Sequence, residues 1–126
     1  MSVKPQEVYL QMQVNTASPQ ELTLLLYNGL IKFLGQSLEE TKHGNYEGKN
    51  NHIIRSLDIL DELLMSLDQS YEVAQQLGSL YLFMKSHLVE ANIKNKAENI
   101  EFCIGQVKEL RDTWAQAIKL AKQKQV

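Results

Sequence analysis

This sequence predicts an all-α fold: an antiparallel up-down four-helix bundle preceded by an N-terminal arm or short extra helix. Three observations carry that expectation. Both prolines, Pro5 and Pro19, precede or open the first long periodic segment, so no proline interrupts a helix further on. Apolar residues then recur at three- and four-residue spacing through segments of about twenty residues. Only a few turn-forming residues separate the segments, and short connections favour antiparallel neighbours.

The first helix is expected from about Pro19 to Thr41. Ser18 can cap it, Pro19 suits its first turn, and Glu21 stands three residues after Ser18 to close a capping box. His43-Gly44-Asn45 reads as its C-terminal turn. The second helix is expected from about Tyr46 to Leu67, before the polar turn Asp68-Gln69-Ser70. The third runs from about Tyr71 to Ala91. The fourth opens with Asn95 as cap and Glu98 as box partner, and continues to about Lys122. Ahead of these helices, Val8, Leu10, Met12 and Val14 alternate with a period of two. Residues 1–17 therefore read as an arm, either an extended segment laid on the bundle or the start of a short helix. No internal repeat or low-complexity tract appears, and residues 1–126 read as a single helical-bundle domain.

Composition narrows the function. A chain of 126 residues and 14.4 kDa suits one domain with one sizeable core. It is 44% hydrophobic and 22% charged, an ordinary globular balance. A formal charge of -2 points to no nucleic-acid face and no attraction to anionic membranes. No apolar run approaches the roughly 18 to 20 residues of a membrane span, so no membrane insertion is expected. The polar stretch from Met1 to Glu7 lacks a signal-peptide core. Cys103 is the sole cysteine, which rules out an internal disulfide and suits a reducing compartment. A cytoplasmic location is the expectation.

The helical faces can be mapped at about 100° per residue. In the first helix, Leu22, Leu26, Leu30 and Phe33 form one stripe, and Leu24, Tyr27, Ile31, Leu34 and Leu38 continue around from it. Together they cover roughly 200°, against a little over 100° for a one-sided face. The surplus is expected to be covered by irregular core or by the arm, or to be open to a partner. The second helix has a core stripe of Ile53, Leu57, Leu60, Leu64 and Leu67, widened by Ile59 and Leu63, while Ile54 and Met65 fall outside it. The third carries Val73, Leu77, Leu80, Tyr81, Met84, Leu88 and Ala91 on its core side. Leu82, Val89 and Ile93 form a separate stripe on nearly the opposite side. The fourth presents Ile100, Cys103, Val107, Leu110, Trp114, Ala117, Ile118 and Ala121 as core. Apolar residues outside a core stripe either widen an irregular core or line a groove for the amphipathic helix of a partner.

Catalytic and metal-binding patterns are missing. Glu40 and His43 make one Glu-x-x-His, but di-iron bundles need two with further inward glutamates. No His-x-x-Lys-Gly occurs, which a phosphotransfer bundle would ask for, and His87 reads as a residue at the core boundary. Cys103 lies on an apolar face and reads as a small buried hydrophobe. Gly29, Gly35, Gly78 and Gly105 lie inside helices, where each costs about 1 kcal/mol against alanine. Close helix approach or a notch for a partner would explain them. The chain is expected to be no enzyme and to need no cofactor.

The residues resemble a known family, the flagellar secretion chaperone FliS. The carrying segments are Tyr9 with Val14, then Thr16-Ala17-Ser18-Pro19-Gln20-Glu21-Leu22-Thr23-Leu24, Leu26-Tyr27-Asn28-Gly29 and Ile31-Lys32-Phe33-Leu34. Further on come Arg55, Asp58-Ile59-Leu60-Asp61-Glu62-Leu63, Leu80-Tyr81-Leu82-Phe83-Met84, Ala91-Asn92 and Glu109-Leu110-Arg111-Asp112-Thr113-Trp114. The ordered set covers most of the chain. It departs from the family pattern at Asn28, where an aspartate is common, and at Leu30, where a small residue is common.

The resemblance implies a chaperone that holds the disordered C-terminal segment of flagellin in the cytoplasm. It implies that the chaperone blocks premature polymerisation and hands the subunit to the flagellar export apparatus for type III secretion. It also implies that the N-terminal arm sits over part of the binding surface when no flagellin is bound. On this reading Tyr9, Leu10, Met12 and Val14 form a cover or clamp, and Ile54, Met65, Leu82, Val89 and Ile93 line the groove. The alternative is a helical adaptor or regulatory bundle with another protein partner, including a homodimer.

Overall fold

The computed structural model describes residues 18–124, which form α1 (Pro19–Lys42), α2 (Tyr46–Met65), α3 (Glu72–Lys94) and α4 (Ala97–Gln123). The expected arm, residues 1–17, lies outside the described residues. The helices close a ring in which α1 packs on α2, α2 on α3, α3 on α4 and α4 back on α1. Cross-helix contacts run in opposite directions along each pair. Asn50 meets Asn92 and Asp61 meets Lys85 between α2 and α3, while Asn99 meets His87 and Cys103 meets Met84 between α4 and α3. The result is the expected antiparallel up-down bundle.

Local chemistry sets the helix ends. Ser18 Oγ accepts from the Glu21 N–H at 3.2 Å, and Pro19 occupies the first helical turn. Glu21 extends towards Lys122 of α4, its Oε1 lying 3.8 Å from the ammonium. At the other end of α1, Gly44 turns the chain at φ 73°, a left-handed conformation that a side chain would strain. Asn45 then caps α2 by accepting from the Gly48 N–H at 3.1 Å. The α2–α3 turn is held by Asp68, whose carboxylate accepts from the Ser70 N–H and hydroxyl. Those bonds from Ser70 hold the Asp68 carboxyl below its ordinary range.

Asn95 corrects the expected capping box. It ends α3 rather than opening α4, in a left-handed conformation at φ 55°. Asparagine tolerates that region better than other side chains do, and its Oδ1 accepts from Lys49 Nζ at 2.7 Å. Lys49 also donates to the Asn92 carbonyl at 2.7 Å, so a buried lysine closes the C-terminus of α3. Helix α4 starts after Lys96 with no side-chain cap.

The core draws on all four helices: Tyr27, Leu30 and Leu34; Ile53, Leu60 and Leu63; Tyr81, Met84, Leu88 and Ala91; Ile100, Cys103 and Val107. The Tyr27 and Tyr81 hydroxyls meet at 2.6 Å across the bundle diagonal. Buried Ser37 and Ser56 donate back to carbonyls of their own helices, which satisfies them locally. Helix α1 packs closely along both α2 and α4, and none of its large apolar side chains is exposed. Core occupies part of its wide apolar face, through Tyr27, Leu30 and Leu34 with Leu26, Ile31 and Leu38 against them, while half-buried Leu22, Leu25 and Phe33 line an open cavity of about 310 Å³ on the outer side.

Three other expectations change. Val73 is exposed, because it lies in the first turn of α3, level with chain beyond the end of α2. Ala117 and Ala121 are exposed as well. With Cys103 opposite Met84, the start of α3 is level with about Ala115, so the rest of α4 runs on beside α1 alone. Close approach also does not account for the helical glycines. A Cβ at Gly35 or Gly105 would meet nothing within 4 Å, and at Gly29 or Gly78 it would make ordinary contacts at 3.4 and 3.5 Å.

Candidate partner-binding surface

The apolar side chains outside the core gather along α2 and α3. Ile54, Met65, Leu82, Val89 and Ile93 are all exposed, from 45% at Val89 to 81% at Met65. Two polar contacts fix the register beneath them. Asn92 Nδ2 donates to Asn50 Oδ1 at 2.6 Å, and the Lys85 ammonium pairs with the Asp61 carboxylate. Residues three or four apart share a helical face. Ile54 stands four residues after Asn50 and Met65 four after Asp61; Leu82 and Val89 flank Lys85, and Ile93 follows Val89 by four. The five thus lie along one seam between two antiparallel helices, outward of its polar contacts. The arm residues Tyr9, Leu10, Met12 and Val14 lie outside the described residues.

Two further apolar features were not singled out from the sequence. Between α3 and α4, Phe83, His87 and Phe102 form an aromatic cluster. Ring centroids are 4.3 Å apart for Phe83–His87, 5.4 Å for His87–Phe102 and 5.9 Å for Phe83–Phe102. Both phenylalanines are exposed, and His87 is half-buried between them. Phe83 and Phe102 belong to different helices, so the cluster follows from interhelical register, which the pattern within either helix does not contain. The second feature is an open cavity of about 400 Å³ at the end of the bundle where α1 and α3 begin. Pro19, Tyr71, Val73 and Trp114 line its sides, and Tyr27 and Tyr81 reach it from the core. Trp114 Nε1 donates to the Gln20 carbonyl at 2.9 Å and so ties α4 to the start of α1 beside it.

The groups with chemical potential are engaged in structure. His43 is exposed and its Nδ1 lies 2.7 Å from the Glu39 carbonyl. Glu40 turns instead to His52 on α2, with 2.5 Å between Oε1 and Nδ1. A Cβ on Gly48 would stand 2.3 Å from Glu40 Oε2, so this glycine leaves room for the carboxylate. Cys103 is buried, and burial pushes its thiol up to about 12, far from a reactive thiolate. Among the described residues no three His, Cys, Asp or Glu side chains gather as a metal site would need, and no helix is long and apolar enough to cross a membrane.

Comparison with known proteins places the chain in a family. Residues 1–121 match the family model described as flagellar protein FliS. The chain is 39% identical over 115 residues to the flagellar secretion chaperone FliS of Bacillus subtilis (strain 168), covering 91% of this chain and 86% of that protein. It is 31% identical over 108 residues to the protein of the same name from Campylobacter jejuni, covering 84% of each. It is 29% identical over 112 residues to that of Vibrio cholerae, covering 87% of this chain and 82% of the relative. A match over nearly the whole length, with a bundle whose exposed apolar seam suits a binding protein, makes this chain a member of the FliS family of flagellar secretion chaperones.

Proposed function

We propose that this chain is a non-enzymatic cytoplasmic export chaperone for a flagellin. It binds the disordered C-terminal segment of that subunit, prevents premature polymerisation and delivers it to the flagellar export apparatus for type III secretion. The observation that carries this reading is the seam of five exposed apolar side chains on a bundle whose core draws on all four helices. A disordered segment gains helix as it lays an apolar face there. Each side chain that becomes fully covered contributes up to roughly 1.5 to 3 kcal/mol, which offsets an ordering cost of about 2 to 5 kcal/mol for the segment. The arm, through Tyr9, Leu10, Met12 and Val14, covers or clamps the same surface when no partner is bound. Its attachment at Ser18 beside the bundle-end cavity supports that role.

Titration calorimetry with a flagellin C-terminal segment tests the proposal. Micromolar or tighter binding with a negative heat-capacity change is expected. Leu82→Asp should weaken binding at least about tenfold while the far-ultraviolet helical signal stays intact. No binding at micromolar concentrations would remove the reading. A stable homodimer in sedimentation that ignores the segment would favour the adaptor alternative.

A further inference from the structure

Resting on that reading, we infer that the α2–α3 groove selects for positive charge: the segment it takes carries lysine or arginine on the flank of its apolar stripe that faces α2. The two edges of the groove differ. On the α2 edge stand Glu47, Asp58 and Glu62, all exposed. Asp58 follows Ile54 by four residues, Glu62 precedes Met65 by three, and Glu47 precedes Ile54 by seven, so all three share the face of the apolar pair. None of them takes part in the ion pairs among the described residues, which use other carboxylates. The cations of α2 are directed elsewhere. Lys49 is buried on the C-terminus of α3, and the Arg55 guanidinium lies 5.3 Å from the ring centre of Phe33 on α1.

Between Leu82 and Ile93 the α3 edge carries no comparable charge; its nearest free carboxylate among the described residues, Glu72, stands in the first turn of α3, beyond the level where α2 ends. Ser79 and Ser86 stand three residues before and four after Leu82. Lys85 is paired with Asp61, and Glu90 is paired with Lys96 at 2.7 Å. The groove therefore has a row of apolar side chains above a paired polar base, with free carboxylates along its α2 edge and none along the facing stretch of α3. An uncharged helix laid there would strip water from the acidic edge and put nothing in its place, which is unfavourable. A basic flank would replace that water with charge-assisted bonds and would speed encounter at low salt. Because free carboxylates line only the α2 edge, a helix with its basic residues on one side of the apolar stripe fits in one direction.

The test measures association and dissociation of a flagellin C-terminal segment with the full chain and with the exposed double variant Asp58→Lys/Glu62→Lys. The inference expects association with the unaltered chain to slow about tenfold between low salt and about 0.5 M salt. It expects the variant to associate slowly at low salt, to lose most of the salt dependence and to dissociate faster, while keeping its helical signal. Binding that ignores both salt and charge reversal overturns the inference and leaves the chaperone reading standing. If the segment does not bind at all, the chaperone reading fails, and a designed helical peptide with a leucine stripe tests the groove by itself. With lysines on one flank it should bind at least about tenfold tighter than its glutamate-flanked counterpart, and the variant should reverse that order. Equal binding of the two peptides overturns the inference, as does a dimer of the chain alone that Leu82→Asp dissolves, since the groove is then filled by a second copy.

Discussion

Tyr27 and Tyr81 show how a single polar contact can be fitted into an apolar bundle. Each ring is buried in the core, and each hydroxyl finds its partner in the other at 2.6 Å. Removing one hydroxyl leaves the other buried and unpaired, which costs about 1 to 3 kcal/mol, whereas replacing both by phenylalanine leaves nothing unsatisfied. Urea unfolding of Tyr27→Phe, Tyr81→Phe and the double variant should therefore be non-additive, the double costing less than the sum. The pair also sets a limit in alkali. Burial raises both phenols above the ordinary 10.0; the bond from Tyr81 partly opposes this at Tyr27, while that from Tyr27 adds to it at Tyr81. The folded chain then keeps protons that the unfolded chain releases. This stabilisation is fully present below the unfolded value of about 10 and is lost as pH rises beyond it. The urea midpoint should fall above about pH 10, with a shallower fall in the double phenylalanine variant. A midpoint unchanged by alkali in the unaltered chain would contradict the assigned environment.

Among the elements, α3 contributes both to the shared core and to the proposed binding surface. It packs more sparsely on its neighbours than α1 does, and it supplies Leu82, Val89 and Ile93 to the groove and Phe83 to the aromatic cluster. Sparse packing lowers the free energy of local opening. Amide hydrogen exchange should therefore be faster along α3 than along the middle of α1, and binding of the partner segment should slow exchange in α3 and α2 most. Uniform protection across the four helices would argue against this. Much of the element layout was legible because it rests on local chemistry. Ser18-Pro19 starts α1, Gly44 turns it and Asn45 caps α2, each through contacts within a few residues. The exposure of Ile54, Met65, Leu82, Val89 and Ile93 was legible for a similar reason, since they stand off the core stripes of their own helices. What failed depended on distant residues. Asn95 ends α3 in a left-handed conformation, where Lys49, forty-six residues earlier, bonds its side chain. Val73, Ala117 and Ala121 are exposed because of where neighbouring helices start and stop. The aromatic cluster needs α3 and α4 in register, and the role of Tyr9, Leu10, Met12 and Val14 rests on residues outside the described structure.

At the scale of the whole molecule, core and groove are nearly independent even though they share α3. Leu88 and Val89 put that separation in adjacent positions, the first 0% exposed and the second 45%. A helix turns about 100° per residue, so one step carries a side chain from the shared core to the outer seam. Leu88→Ala opens a cavity among residues from all four helices and should cost about 2 to 5 kcal/mol, lowering Tm by more than about 5 °C. Because one core joins the helices, the loss should appear in a single cooperative transition, with Trp114 fluorescence and helical ellipticity changing together. Val89→Ala removes methyl groups from a surface and should shift stability by no more than about 0.5 kcal/mol, yet it should weaken partner binding. The two variants are thus expected to separate: one loses stability and keeps the groove, the other keeps stability and loses affinity. Equal destabilisation by both would make Val89 part of the core and remove it from the groove. Two transitions seen by the two probes would mean that the bundle end around Trp114 unfolds apart from the rest.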